Sequence, residues 1–512
     1  MANAEGLSRR SFLTGGCATV AMGIAPAALR AAPTQPGAGS LIKLNAAEAV
    51  AQISHGDITA ESYAAALLER CSAGHALNTF ISFESDRVLE DARRRDRERR
   101  AGAKPGPLFG LPLPLKDCVN TRDYPTTGGT PGLRHFRPAE DAPIVKKLLE
   151  AGAVILGKTN MHELGYGWTS NNETFGPVRN PYDPSRIAGG SSGGTAAAIA
   201  ARMAPLGVGE DTNGSIRIPA ALCGIMGLRP TTGRYPTRAC IPLSPVFDQV
   251  GPHARTIRDL ALFDSAVTGD LSPVEPVPLR GARLGVIRDY WYSGLDPEVE
   301  RIMDSVLTRL RGSGVEIIES TLPELANVHD LITTPVITHD VRLAIGQYLK
   351  EYRTSLTFEE LLERASPGIR ASLRQVLPGG SDYVADSRYH DLINNKLPQF
   401  RRVFRDYFSR TGVAAIIFPT TVVPALPIGA EGEVTVGDRR ISLFTALARN
   451  ITPTGSGGIP GLVLPAGLTS SGLPVAVELD APAGGDRALL ALGVSVADVL
   501  GSIPPPHFIS AA

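Results

Sequence analysis

The chain has no surplus of charge of either sign: 51 Lys and Arg offset 51 Asp and Glu over 512 residues. That balance argues against a nucleic-acid partner or an anionic membrane surface, both of which select for a basic excess. It has no internal repeat and no low-complexity linker in its middle, so one large domain fits as well as several small ones. Its cysteines follow no spacing that suggests a disulfide framework or a metal site. Nor is there an apolar run long enough to span a bilayer. What is there is ordinary for a globular chain with a large core, with 43% hydrophobic and 20% charged residues.

The first residues, 1–32, read as a twin-arginine signal peptide rather than as part of the fold. Ser8-Arg9-Arg10-Ser11-Phe12-Leu13 is followed by an uncharged, Gly- and Ala-rich stretch from Leu13 to Leu29. Small residues at Ala25-Pro26-Ala27 and Ala31-Ala32 offer cleavage sites. The apolar run before Cys17 is too short for a lipidation signal. Export implies a periplasmic or secreted protein without stable membrane insertion. The remaining cysteines, Cys71, Cys118, Cys223 and Cys240, are expected to be buried free thiols.

Along the rest of the chain, Asn45–Leu68 has helical apolar spacing broken by a turn at Asp57–Thr59. The charged stretch Asp86–Ala103 reads as a solvated helix, and Ala142–Ala151 as an amphipathic helix before a buried strand at Ala153–Gly157. Helix followed by apolar strand recurs at Glu298–Arg311 with Val315–Glu319, and at Phe400–Arg410 with Ala414–Phe418. This alternation predicts an α/β domain with a mixed central sheet covered by helices. Two prolines in Leu111–Lys116 (LPLPLK) argue against a regular central strand there. The largely helical stretch from Thr321 to Ser409 interrupts the strand rhythm, as a pocket wall or as plain packing. Asn450–Gly467 reads as Gly/Pro/Thr-rich loop, Leu473–Leu479 as a strand and Asp486–Leu500 as a final helix.

Two familiar patterns fail on context. Gly152–Thr159 (GAVILGKT) fits a phosphate-loop template, but Ala153-Val154-Ile155-Leu156 is strand composition where a loop is required. Gly189-Gly190-Ser191-Ser192-Gly193 fits a nucleophile elbow, yet loop residues precede it instead of an apolar strand. His162 and His253 read as structural, so a Ser-His-Asp esterase with its nucleophile on this loop is the alternative enzyme reading. What remains is a pair of Gly/Ser turns, Gly189–Gly194 and Asn213-Gly214-Ser215, flanking an Ala-rich helix candidate. Lys116 joins them as an isolated lysine in apolar surroundings. Desolvation is expected to lower its pKa into the range of a usable base, although composition alone favours plain pairing with Asp117 at a strand end.

These stretches resemble the amidase signature family of serine hydrolases. The resemblance rests on the GGSSGG loop at 189–194 and on GEDTNGSIR at 209–217. It extends through LPLPLKD at 111–117, ILGKTNMHELG at 155–165, CGIMGLRPTTGRYP at 223–236 and GLPVAVEL at 472–479. It covers most of residues 41–505 and implies a Ser–cisSer–Lys triad of Ser215, Ser191 and Lys116. Ser215 is then the nucleophile, and Ser191, after a cis bond from Gly190, relays its proton to neutral Lys116. The resemblance puts an oxyanion hole at the N–H groups of Thr212, Asn213, Gly214 and Ser215. Asp211 and Arg217 pair to brace the turn, and Ser192 supports the relay serine. No cofactor or metal is implied.

Two positions depart from the family pattern. Glu210 stands where Thr or Ser is usual, and Asn213 where Gly is usual. Asn tolerates left-handed backbone, so the turn is expected to survive, with the Asn213 side chain narrowing or polarising the space beside the nucleophile. The run around Tyr166, Trp168 and Phe175 is similar to members acting on arylacetamides, and the three rings are candidates for an aromatic pocket. The implied reaction is hydrolysis of a small aromatic or hydrophobic carboxamide to acid and ammonia through an acyl-serine, with ester cleavage alongside. The partner is a small amide; charged tRNA is disfavoured by export, and a homodimer stays open. A non-catalytic binding protein on the same fold predicts a broken triad position, and none is broken.

Overall fold

Residues 37–506 of a computed structural model of the chain are described, and the signal-peptide reading at 1–32, with Cys17, lies outside them. Their strands are β1 (Phe80–Ser82), β2 (Pro112–Lys116), β3 (Val154–Thr159), β4 (Leu206–Asp211), β5 (Met226–Arg229), β6 (Gln249–Ala254), β7 (Arg283–Val286), β8 (Glu316–Glu319), β9 (Ala415–Pro419), β10 (Glu433–Val436), β11 (Arg439–Ser442), β12 (Gly461–Leu468) and β13 (Pro474–Asp480). Eleven of them form one mixed sheet in the order β1-β3-β2-β4-β6-β5-β12-β13-β9-β7-β8, and β10 and β11 make a separate hairpin. Strands β3-β2-β4 and β9-β7-β8 run parallel at the two flanks, while the centre is antiparallel. Helices cover this sheet, and the architecture is the single α/β domain that the alternation of elements predicts.

Local chemistry accounts for the helix starts. Asn45 and Glu48 form a reciprocal capping box at Ala46–His55, and Thr59 and Ser62 do the same at Ala60–Ala73. The turn between them carries Gly56 in the left-handed region (φ 85°). The Ala-rich stretch becomes the helix Gly193–Ala200, with every residue buried. Its small side chains let backbone approach closely: a Cβ on Gly194 would lie 2.3 Å from the Asn160 carbonyl oxygen and 2.5 Å from that of Thr79. This helix packs on β2, β4 and β6 and so fixes the loop that carries Ser191 against the sheet.

The expectation for Leu111–Lys116 is corrected. Pro112–Lys116 is an interior strand, β2, between β3 and β4. The prolines are accommodated because its ladder is irregular: a register shift falls between Leu113 and Pro114, and a single bridge, Leu115↔Val208, joins β4. The loop expected at Asn450–Gly467 is likewise a short helix, Thr452–Gly457, followed by β12, whose pairing with β5 and β13 overrides its Gly and Pro content. All four cysteines of the domain are buried and unpaired. No helix among the described residues is long and apolar enough to cross a membrane.

Candidate active site

Lys116 ends β2, and its ammonium lies fully buried under the loop that precedes the helix Gly193–Ala200. Nζ donates to Ser191 Oγ at 2.8 Å, to the Glu210 carbonyl at 3.1 Å and to Glu210 Oε2 at 2.7 Å. The Gly190–Ser191 peptide bond is cis. Ser192 ties this loop to the end of β4 and to the second turn. Its hydroxyl donates to the Glu210 carbonyl and accepts from the Glu210 N–H, and its own N–H donates to the Ser215 carbonyl.

The simple desolvation argument for Lys116 does not hold. Burial is the largest single influence and pushes the lysine down, but the Glu210 carboxylate, with Cys118 and Asp211 adding to it, leaves the net direction up. Nor is Asp117 its partner. Asp117 pairs with Lys158 of β3 at 3.1 Å and accepts from both the N–H and the hydroxyl of Thr127.

The turn that carries Ser215 is organised by Asp211. Its carboxylate accepts from the N–H groups of Gly214 (2.8 Å) and Ile216 (3.0 Å), and pairs with Arg217 (3.2 Å) and Arg229 (3.0 Å). Burial pushes Asp211 up, yet the two guanidiniums overcome it and hold the carboxyl well below the usual carboxylate range. One part of the expected oxyanion hole is thereby overturned. The Gly214 N–H is spent on Asp211, which leaves the N–H groups of Thr212, Asn213 and Ser215 as the candidate donors. The left-handed residue of the turn is Gly214 (φ 99°), not Asn213. The Asn213 side chain is drawn aside by Thr452 Oγ1 at 2.9 Å, and its carbonyl accepts from the Trp168 indole at 3.2 Å.

Neither His253 nor His162 supplies a base. His253 Nε2 sits 2.8 Å from the Ile216 carbonyl, and His162 Nδ1 lies 3.3 Å from the Thr169 hydroxyl. Burial lowers both to about 4, so they are neutral at neutral pH. Ser191 is hydrogen-bonded to an ammonium, not to an imidazole, which removes the geometric basis of the Ser-His-Asp alternative.

Thr212, Asn213 and Ser215 open onto a cavity of about 690 Å³. Tyr166, Gly165 and Trp168 form one wall, as the sequence suggests, but Phe175 is turned away beneath the Arg134 guanidinium. The other walls come from the 321–409 insertion, through His329, Ile337 and Ile369, and from Leu243, Ile428 and Leu443. The His329 ring stacks on Phe444 at 3.4 Å, and Phe444 in turn packs against Trp168 at 5.9 Å. Burial lowers His329 to about 4, so this wall carries no cation at neutral pH. These far walls were not visible from the motifs. Only the helical insertion itself marked where a pocket wall was to be sought.

Comparison with known proteins agrees with this geometry. The Amidase family model matches residues 63–490. An indoleacetamide hydrolase of Agrobacterium vitis is 36% identical over 84% of this chain and 91% of its own length. A mandelamide hydrolase of Pseudomonas putida is 35% identical over 91% of this chain and 93% of its own. The solved structure of a peptide amidase from Stenotrophomonas maltophilia superposes with a TM-score of 0.77 at 26% identity, covering 91% of this chain and 99% of that one. A family model spanning most of the chain, and relatives aligned over nearly their whole length, establish that the chain belongs to the amidase family.

Proposed function

We propose that this amidase hydrolyses a small aromatic or hydrophobic carboxamide to the carboxylic acid and ammonia, with Ser215 as nucleophile, Ser191 as proton relay and Lys116 as base. The observation that carries the reading is the 2.8 Å contact of Lys116 Nζ with Ser191 Oγ, beside the Ser215 turn on the floor of an aromatic-walled pocket. Ser215 Oγ attacks the amide carbon as Ser191 takes its proton and passes its own to Lys116 in its neutral amine form. Charge developing on the former carbonyl oxygen meets the N–H groups of Thr212, Asn213 and Ser215. Collapse returns a proton through Ser191 to the nitrogen, and ammonia leaves. Water then clears the acyl-serine by the same route in reverse. An ester enters the same sequence with an alcohol as leaving group.

The pocket supports the choice of acyl group. Tyr166, Trp168, Ile337, Ile369 and Leu443 offer apolar and aromatic surface, and the neutral His329 ring adds a flat face. A panel of indole-3-acetamide, mandelamide and acetamide, followed by ammonia release, tests both halves of the reading. The aryl amides are expected to be turned over at least about tenfold faster in kcat/KM than acetamide. Ser215→Ala is expected to lower kcat/KM for every substrate by about 10⁴-fold or more. Turnover retained in that variant would sink the nucleophile assignment, and equal turnover of acetamide would sink the aromatic pocket.

A further inference from the structure

The reaction scheme leaves one buried group unused. Glu210 stands where the family usually has Thr or Ser, and its carboxylate is in contact with the base itself. Oε2 accepts from Lys116 Nζ at 2.7 Å, while Oε1 accepts from Thr212 Oγ1 at 3.1 Å. The same hydroxyl lies 2.6 Å from Asp248 Oδ1, and the N–H groups of Leu243 and Ser244 donate to that second carboxyl. A continuous line of proton-carrying groups therefore runs from Ser191 through Lys116, Glu210 and Thr212 to Asp248. It is buried throughout, with Glu210 4% and Asp248 6% exposed.

We propose that Glu210 is the terminal proton acceptor of the relay, so that the working base of this amidase is a Lys116–Glu210 pair sharing one proton rather than a lysine alone. The inference rests on the Ser215–Ser191–Lys116 reading and adds a fourth member to it. Glu210 touches neither substrate nor nucleophile; it is a positioning residue that acts through Lys116. As Ser215 Oγ bonds to the amide carbon and the carbonyl π pair moves onto oxygen, the Ser215 proton passes to Ser191 and the Ser191 proton to Lys116 Nζ. The proton that Nζ already held resides on Glu210 Oε2. On collapse the protons return in reverse order, one of them to the departing nitrogen as the C–N bond breaks. Nothing is oxidised or reduced.

The surroundings favour a shared proton. Lys116 and Cys118 face Glu210 from β2 and the segment after it, Arg229 faces it from β5, and Cys240 faces it from the segment bridged to Val119. Asp211 follows it in the chain, and Asp248 approaches from the loop before β6. His162 and His253 lie near Lys116 and are neutral. Burial first, and the Glu210 carboxylate second, push Asp248 up to about 8. Both influences favour the protonated form of Asp248 beside Glu210.

The pH profile of kcat/KM separates this from a structural role. With the pair in place, the acid limb marks arrival of a second proton on the pair. With Glu210→Gln it marks protonation of Lys116 by itself. The limb is therefore expected to move to higher pH, with a loss of about thirtyfold at pH 6 that shrinks to about threefold at pH 9. Glu210→Asp is expected to restore the unmodified limb at a lower kcat. A loss of equal size at both pH values makes Glu210 structural, and a limb that moves to lower pH makes it only a clamp on the ammonium; either overturns the proposal. Ser215→Ala removes turnover at every pH, so failure of the nucleophile reading is distinguishable. In the unmodified protein carrying ¹³C-carboxyl glutamate, a trifluoromethyl ketone adduct on Ser215 is expected to add one label-shifted protonated carboxyl band in the infrared. An adduct without that band also overturns the proposal, whether or not the variants fold.

Discussion

Two lysines on neighbouring parallel strands, Lys116 on β2 and Lys158 on β3, are both fully buried and both face a carboxylate. Their surroundings nevertheless drive them in opposite directions. Lys158 donates to Asp117, to the Thr126 hydroxyl at 2.8 Å and to the Pro125 carbonyl at 3.1 Å. Burial dominates there: it lowers Lys158 and raises Asp117, against the pull of the pair. Lys116 instead reaches a serine hydroxyl, and the Glu210 carboxylate behind it is linked through Thr212 to a second carboxyl, Asp248. Burial alone is therefore not what makes a lysine a base. Lys158 also touches a hydroxyl and a carboxylate, so what sets Lys116 apart is that its hydroxyl partner, Ser191, stands on the loop tied to the Ser215 turn.

The largest effect expected is the one that breaks this comparison outright. Lys116→Met is expected to lower kcat/KM by about 10³-fold or more. Lys158→Met leaves the Asp117 carboxylate buried and unpaired, which costs about 3–5 kcal/mol of stability. Its turnover per folded molecule is expected to stay within about tenfold of the unmodified enzyme. Ammonia release per mole of folded protein, with the folded fraction taken from urea unfolding, reads both quantities. If Lys158→Met loses turnover as deeply as Lys116→Met while its unfolding midpoint is unchanged, the two lysines do not have separate jobs.

A second test sharpens the difference in charge balance. Asp248 sits above its unfolded value, so the folded protein keeps a proton that the unfolded chain has released between about 4 and 8. Its contribution to stability is thus fully present below the unfolded carboxylate range and is lost as pH rises toward 8. Asp248→Asn is expected to flatten this slope, seen as a smaller fall in unfolding free energy between pH 5 and pH 8. The histidines work in the opposite sense. His162 and His253 lie near 4 when folded, below the unfolded value, so their contribution is lost as pH falls through that window. An unchanged slope in the Asp248 variant would mean that the second carboxyl on the Lys116 side is not what titrates.

Much of this arrangement could be read from residues in order, and the part that could not has a common cause. Helix boundaries followed from caps and periodicity, as at Asn45 with Glu48 and at Thr59 with Ser62. The family resemblance pointed to Ser215, Ser191 and Lys116 because its motifs are long. What escaped depends on where the folded backbone aims a group, whether its partner is near or far in sequence. Glu210 lies 94 positions from Lys116, and only the fold puts its side chain on the ammonium rather than in solvent. The Gly214 N–H is lost to Asp211 because a rigid turn aims it there, which no pattern of residue types records. The prolines of β2 misled because their cost depends on where the ladder is broken. Phe175 lies in an aromatic-rich run yet points away from the pocket, whereas His329, from a helical insertion with no motif, lines it.

The smallest effects come from two threonines that hold the lysine clusters together, and they discriminate most finely. Thr126 accepts from Lys158, and Thr212 sits between Glu210 and Asp248. A hydroxyl has one proton, so Thr212 cannot donate to both carboxyls at once. Its proton therefore serves one carboxyl at a time, Glu210 Oε1 at 3.1 Å or Asp248 Oδ1 at 2.6 Å. Replacing either threonine by Val removes a buried hydrogen-bonding group and is expected to cost about 1–2 kcal/mol of stability. Only Thr212→Val strips a donor from the carboxylate behind the base, so only it is expected to displace the acid limb of the kcat/KM profile, by roughly a few tenths of a pH unit. Matched losses of stability with a displaced limb in one variant alone would separate the two clusters functionally. A displaced limb in Thr126→Val would instead mean that the proton on Lys116 senses the Lys158 pair across β2, and that the two lysines titrate as one system.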